Sequence, residues 1–133
     1  MPPLALVTGA AHRLGKAFAL TLAGAGYDIV LHYNSSSEEA LQTKAEIESH
    51  SRTVTLIQAD LTQPEQIQSL VSTLQSLNVL VNSAAFMPSG NVDSLSLENW
   101  DNSLDLNLRA PFLLAQECAK KMTAGGLIVN ITD

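Results

Sequence analysis

Between the apolar run Leu4–Val7 and the first helical stretch lies Thr8-Gly9-Ala10-Ala11-His12-Arg13-Leu14-Gly15. Gly9 permits a sharp backbone turn, and Gly15 permits a helix start packed close against what precedes it. The first amides of a helix have no intrahelical acceptor, and the helix dipole adds positive potential beside them. A strand, a glycine turn and a bare helix start therefore suit a phosphate or diphosphate group. A tight connection that binds nothing uses the same residues, so this motif alone does not decide.

Other polar residues stand at the ends of later apolar runs. Tyr33-Asn34-Ser35-Ser36-Ser37 follows the second, Asp60-Leu61 the third and Asn82-Ser83-Ala84 the fourth. Each has a purely structural alternative. Ser35–Ser37 can be a solvated loop that caps a helix, Asp60 can open a turn, and Asn82 can close one. His32 and His50 have no Cys, His or Asp partners at ligand spacing, so no metal site is expected. Asp105 and Arg109 read as surface charges. Cys118 reads as a small buried apolar residue, and a single Cys forms no internal disulfide, which points to the cytoplasm.

The elements that must position these residues alternate between two periods. Leu4–Val7, Ile29–Leu31, Val54–Ile57, Val79–Val81 and Leu127–Ile131 are short and rich in Val, Ile and Leu, as strands buried on both faces are. Four helical stretches separate them. The first starts near Arg13, puts Leu14, Ala17, Phe18, Thr21, Leu22 and Ala25 on one face, and stops at Gly26. The second covers Ser37 to His50, with Ser36 or Ser37 as its cap and Glu38-Glu39 at the positive end of its dipole. The third opens on Thr62-Gln63-Pro64-Glu65, a capping box with an early Pro, and continues through Ile67, Leu70, Val71, Leu74 and Leu77. The fourth runs from Ser96 to about Thr123, divided or kinked at Pro111, and Gly125-Gly126 ends it. Strand–helix alternation of this kind predicts an α/β fold, a doubly wound parallel sheet with right-handed crossovers, as one domain over residues 1–133.

Composition narrows the function. Hydrophobic residues make up 46% of the 133 and charged ones 15%, enough for a packed core and too apolar for disorder. Seven Lys+Arg against 13 Asp+Glu give a net charge of -6, and the three arginines are scattered, which disfavours nucleic acid. No apolar run is long enough to span a membrane, and Met1-Pro2-Pro3 lacks the cationic start of a secretory leader.

Taken in order and spacing, Thr8-Gly9 with Gly15, Asp60-Leu61, Asn82-Ser83-Ala84 and Asn107 resemble the short-chain dehydrogenase/reductase family over the whole chain. The resemblance implies a Rossmann-type sheet of about seven strands in roughly 250 residues and an NAD(P)-dependent oxidoreductase, of which this chain would be the first half. Within the family the pteridine and dihydromonapterin reductases are most similar. They carry Arg where most members have the middle glycine, here Arg13, and Asp where most carry the catalytic Ser, here Asp133. Leu31-His32-Tyr33 before a Ser-rich helix start is similar as well.

The resemblance assigns cofactor contacts to Gly9, His12, Arg13, Leu14, Gly15, Tyr33, Asn34, Ser35, Ser36, Asp60, Leu61, Asn82, Ser83 and Ala84. Tyr33 stands where an NAD-selective site wants a carboxylate. With no acid there to repel a 2′-phosphate, and with hydroxyl and amide donors following, NADP(H) is expected. The basic side chain that pteridine reductases add here is absent, and His12 replaces their Lys, so the 2′-phosphate would rest on Arg13, His12 and backbone donors. Asp60 would accept the adenine amino group, and Phe86 or Met87 would wall the substrate pocket. Asn107 would hold a water of the proton relay.

Asp133 would work with a Tyr about 13 residues further on and a Lys one helical turn beyond, the Tyr donating the proton. Tyr27 and Tyr33 are followed four places on by Leu31 and Ser37, so no such pair is present in the 133 residues. The chain is therefore expected to be an inactive part of an NADP(H)-dependent reductase of a small C=O or C=N substrate, a pterin included. The complete protein would be a homo-oligomer, tetramer or dimer. The fragment alone should be marginal, with the fifth strand an uncovered apolar edge. A non-catalytic dinucleotide-binding module and an α/β domain that binds nothing are the rival expectations.

Overall fold

The computed structural model describes residues 1–132. Five parallel strands, β1 (Leu4–Val7), β2 (Asp28–Tyr33), β3 (Val54–Gln58), β4 (Val79–Asn82) and β5 (Leu127–Asn130), lie in the order β3-β2-β1-β4-β5. Ala5 is in register with Ile29 on one side and Val79 on the other, so β1 is the centre of the sheet. The chain winds outward from β1 to β3, then crosses back to β4. That reversal between β1 and β4 is a topological switch point, where the loops at the strand carboxyl ends diverge and leave a crevice.

Alternate strand residues feed two cores. Ala5, Val7, Ile29 and Leu31 pack with Ala19 and Ala23 of α1 (Arg13–Gly24) and Ala40 and Ile47 of α2 (Ser37–Glu48). Leu6, Val30 and Leu80 pack on the other face with Ile67, Leu70 and Val71 of α3 (Pro64–Ser72) and Leu114 and Cys118 of α5 (Ala110–Ala119). Burial on both faces explains the unbroken apolar runs of β1, β2 and β4. The edge strands β3 and β5 are only partly covered, against the expectation that all five are buried.

Several helices depart from the expected pattern. The seam of α1 that meets the sheet is Gly15, Ala19 and Ala23, while Leu14, Ala17, Thr21 and Ala25 face outward. Close approach of a helix to a sheet selects the smallest side chains, and the larger apolar face is left at the margin. The capping box of α3 does not form. Thr62 turns its hydroxyl to Asp60 instead, Gln63 takes the cap position, and the helix ends at Ser72. Leu74 and Leu77 are buried from the following turn rather than from the helix. Ser36 stands at the cap of α2, but its hydroxyl makes no capping bond.

The long fourth helix is three pieces: α4 (Leu97–Leu104), a π turn (Asp105–Arg109) and α5. Ser96 caps α4, accepting the Asn99 amide at 3.1 Å. Pro111 has no amide to offer the preceding turn, and its ring crowds the carbonyl four residues back. The wider π turn takes up that misfit, so the expected division falls just ahead of Pro111 and the chain stays helical through it. Along this helix Leu97, Trp100, Leu104, Leu108 and Phe112 are all exposed, between 41% and 75%. They recur every three or four residues and form one apolar stripe. Leu127 of the edge strand β5 is 57% exposed. Among the described residues no helix is long and apolar enough to cross a membrane.

Candidate functional site

A cleft of about 690 Å³ opens at the switch point, over the carboxyl ends of β1, β2, β3 and β4. Its floor is the glycine turn. Gly9 has φ +60°, and a Cβ on it would stand 2.8 Å from the Ala84 backbone. A Cβ on Gly15 would stand 2.8 Å from the Gly9 carbonyl carbon. Neither position has room for a side chain, because the turn, the β4 loop and the helix start pack backbone against backbone. The amides of Arg13, Leu14 and Gly15 begin the helix there, where the α-helical ladder supplies no acceptor.

Thr8, buried at the end of β1, knits the crossing. Its Oγ1 accepts the amides of Ser83 and Ala84, each at 3.0 Å, holding the β4 loop against the turn. Thr43 of α2 donates to the Ala11 carbonyl at 2.7 Å and anchors the turn from the other side. His32, fully buried, joins two loops. Its Nδ1 accepts the Gly9 amide at 3.0 Å, and its Nε2 lies 2.9 Å from the Ala59 carbonyl. An amide can only donate and a carbonyl only accept, so the proton sits on Nε2. Burial lowers the His32 pKa below its ordinary value, against an opposing pull from the Ala59 hydrogen bond.

The residues singled out from the sequence come together here with four exceptions. Gly9, His12, Arg13, Leu14, Gly15, Tyr33, Asn34, Ser35, Ser36, Asp60, Leu61, Ser83 and Ala84 all line the cleft. Asn82 is buried beneath it, donating from Nδ2 to Asn130 Oδ1 at 2.8 Å while its own Oδ1 has no partner. Asn107 lies outside the lining, on the π turn. Asp133 lies outside the described residues. Phe86 lines the cleft and Met87, 73% exposed, does not.

Two local geometries give these residues their settings. Ser36 Oγ and His12 Nε2 approach to 3.3 Å, bridging the glycine turn and the loop after β2 across one rim. Asp60 opens a turn, its Oδ1 accepting the Thr62 amide at 3.0 Å and the Thr62 hydroxyl at 2.7 Å. Arg109 is more than a surface charge. It pairs with Asp105 at 3.4 Å and donates to the Thr62 carbonyl at 2.6 Å, tying the π turn to that loop.

Asn107 grips one peptide with both ends of its amide. Oδ1 accepts the Phe86 amide at 2.8 Å and Nδ2 donates to the Phe86 carbonyl at 2.7 Å. It thereby fixes the loop after β4 at the lip of the cleft.

Comparison with known proteins agrees with this architecture. The family model for short chain dehydrogenase matches residues 3–132. The chain belongs to the short-chain dehydrogenase family. A 3-oxoacyl-[acyl-carrier-protein] reductase of Synechocystis is 35% identical over 136 residues, covering 98% of this chain and 55% of the relative. A short-chain dehydrogenase from Burkholderia cenocepacia, solved in complex with NADP, superposes with a TM-score of 0.93 at 35% identity, over 96% of this chain and 54% of that one. Landomycin C-6 ketoreductase LanV, solved with NADP and rabelomycin, gives 0.93 at 29% identity over 98% and 58%. The chain thus spans about half the length of the short-chain dehydrogenases it matches.

Sequence reasoning missed His32 in the lining of this short-chain dehydrogenase cleft, and Thr43 and Arg109 as residues that tie its loops. A signal existed for His32, the one polar residue continuing the buried run Ile29-Val30-Leu31. Thr43 and Arg109 carry none, because their partners lie 32 and 47 residues away.

Proposed function

We propose that this chain forms the dinucleotide cradle of an NADP(H)-dependent reductase acting on a small carbonyl or imine substrate. The single observation that carries the reading is the cleft at the switch point of the sheet, lined by Gly9, Gly15 and the opening residues of α1. When bound, NADPH supplies the hydride from its nicotinamide. The protein's part is placement. Amides of Arg13, Leu14 and Gly15 would hold the diphosphate. Asp60 and Leu61 would receive the adenine, and Ser83 and Ala84 would pass beneath its ribose.

NADP(H) over NAD(H) is supported by the absence of a carboxylate at Tyr33 and by the His12–Ser36 rim, with Arg13, Asn34 and Ser35 beside it. Asp133 and Asn107 are assigned to the catalytic end. Asn107 would act by fixing the Phe86 peptide, and Asp133 would act with an acid supplied from elsewhere.

The substrate reading favours a ketone, since relatives named for keto reduction recur among the similar proteins. A pterin is the second reading, supported by Arg13 in the middle-glycine position, by Asp133 and by Phe86 at the cleft wall. Self-association through the stripe of α4 and α5, as dimer or tetramer, fits its exposed apolar side chains. A cytoplasmic site fits the lone buried thiol Cys118.

Titration followed by NADPH fluorescence tests the cradle. Binding of NADPH about tenfold or more tighter than NADH supports the reading. Failure of both to bind overturns it in favour of an α/β domain that holds nothing. Binding without turnover of either a 3-oxoacyl thioester or a dihydropterin, in a protein carrying the Tyr and Lys, favours the non-catalytic module.

A further inference from the structure

We infer that His32 is the positioning residue of the cleft, one neutral imidazole that sets the spacing between the diphosphate bay and the adenine pocket. The inference rests on the dinucleotide reading above. His32 is the last buried residue of β2 and touches both loops at once. Its Nδ1 holds the Gly9 amide, its backbone carbonyl takes the Ala10 amide at 2.9 Å, and its Nε2 meets the Ala59 carbonyl one residue before Asp60.

The chemistry is specific to imidazole in one tautomer. Gly9 offers a proton and Ala59 needs one, about one ring width apart. The imidazole presents an acceptor and a donor on opposite sides of a rigid plane, far enough apart to meet both loops. With the ring in place, the turn at Gly9 cannot drift relative to the loop at Asp60. A diphosphate and an adenine are joined by a ribose of fixed length, so this spacing governs whether both seats can be filled together. Burial keeps the ring neutral near pH 7, so the acceptor at Nδ1 persists.

Three forms of the protein test this. His32→Phe fills the space and leaves both Gly9 N–H and Ala59 C=O without partners. His32→Asn places its Oδ1 near the position of Nδ1 and restores only the hold on Gly9. NADPH dissociation constants should rise about tenfold or more in His32→Phe. They should stay raised in His32→Asn, which holds Gly9 but leaves Ala59 untied. Nitrogen NMR of the unsubstituted protein should show a bare Nδ1, a protonated Nε2 and a slowly exchanging Gly9 amide.

A purely structural role would lower the melting temperature of both variants and leave affinity in the folded protein unmoved. That result, or affinity restored in full by His32→Asn, overturns the inference. So does a proton found on Nδ1, a result readable even where His32→Phe does not fold. If the unsubstituted protein binds no NADPH, the dinucleotide reading fails by itself. The ring nitrogens and the Gly9 amide then still decide whether His32 holds the turn.

Discussion

Gly15 lies against the Gly9 carbonyl so closely that a methyl group on it would stand 2.8 Å from the carbonyl carbon and nearer still to the oxygen. The crowded atoms are backbone and cannot rotate aside. Gly15→Ala must therefore lift the start of α1 or deform the turn, at about 1–3 kcal/mol. Chemical denaturation should show a lower midpoint, and NADPH titration of the remaining folded protein should show weakened binding. Unchanged values in both would mean that the helix does not need this approach.

Arg13 has φ +55°, a left-handed conformation that side chains adopt at a cost of about 1–2 kcal/mol. Glycine adopts it freely. Arg13→Gly should therefore leave stability equal or raise it by up to about 1 kcal/mol, while NADPH binding weakens through the lost guanidinium. Opposite movement of the two quantities, by thermal unfolding and by titration, is the expected outcome. A variant that binds as tightly as the parent would remove Arg13 from the cofactor contacts.

Asn107 holds both polar atoms of the Phe86 peptide. Asn107→Leu takes away both bonds at the lip of the cleft, at about 0.5–1.5 kcal/mol for each bond lost. Hydrogen exchange at the Phe86 amide should accelerate while exchange in β1 and β4 stays slow. Acceleration across the whole sheet would instead make Asn107 a general stability residue.

Cys118 is fully buried, and burial, aided by the neighbouring Glu117 charge, raises its thiol from 9.0 to about 12. The folded state favours the protonated thiol. Its contribution is fully present below pH 9, the ordinary value, and is lost as pH rises through the folded value near 12. Unfolding free energy of the parent should fall more steeply than that of Cys118→Ala over this window. A thiol reagent at pH 8 should react only as the protein unfolds. Rapid labelling of the native protein would contradict the burial.

Much of the fold was legible because its signals are local. Short apolar runs marked all five strands, and the glycine turn, the polar strand ends and the start of the fourth helix at Ser96 each depend on neighbours within a few residues. The faces and ends of helices were less so. Leu14, Ala17 and Thr21 have helical spacing, but the sheet selected Gly15, Ala19 and Ala23, since separation from the sheet rather than apolarity chose the seam. Thr62 had a capping box available and bonded Asp60 instead, and Pro111 was absorbed by a π turn.

By itself, the sequence determined the alternation of strand and helix, the open turn at Gly9 and Gly15, and the family that this order of motifs marks. Those are properties of spacing along the chain. Tertiary structure alone decided that Thr8 meets Ser83 and Ala84 across the sheet, that His32 bridges Gly9 and Ala59, and that Asn107 grips Phe86. These partners stand 21 to 76 residues apart, and their bonds exist only once parallel strands fix which loops lie side by side.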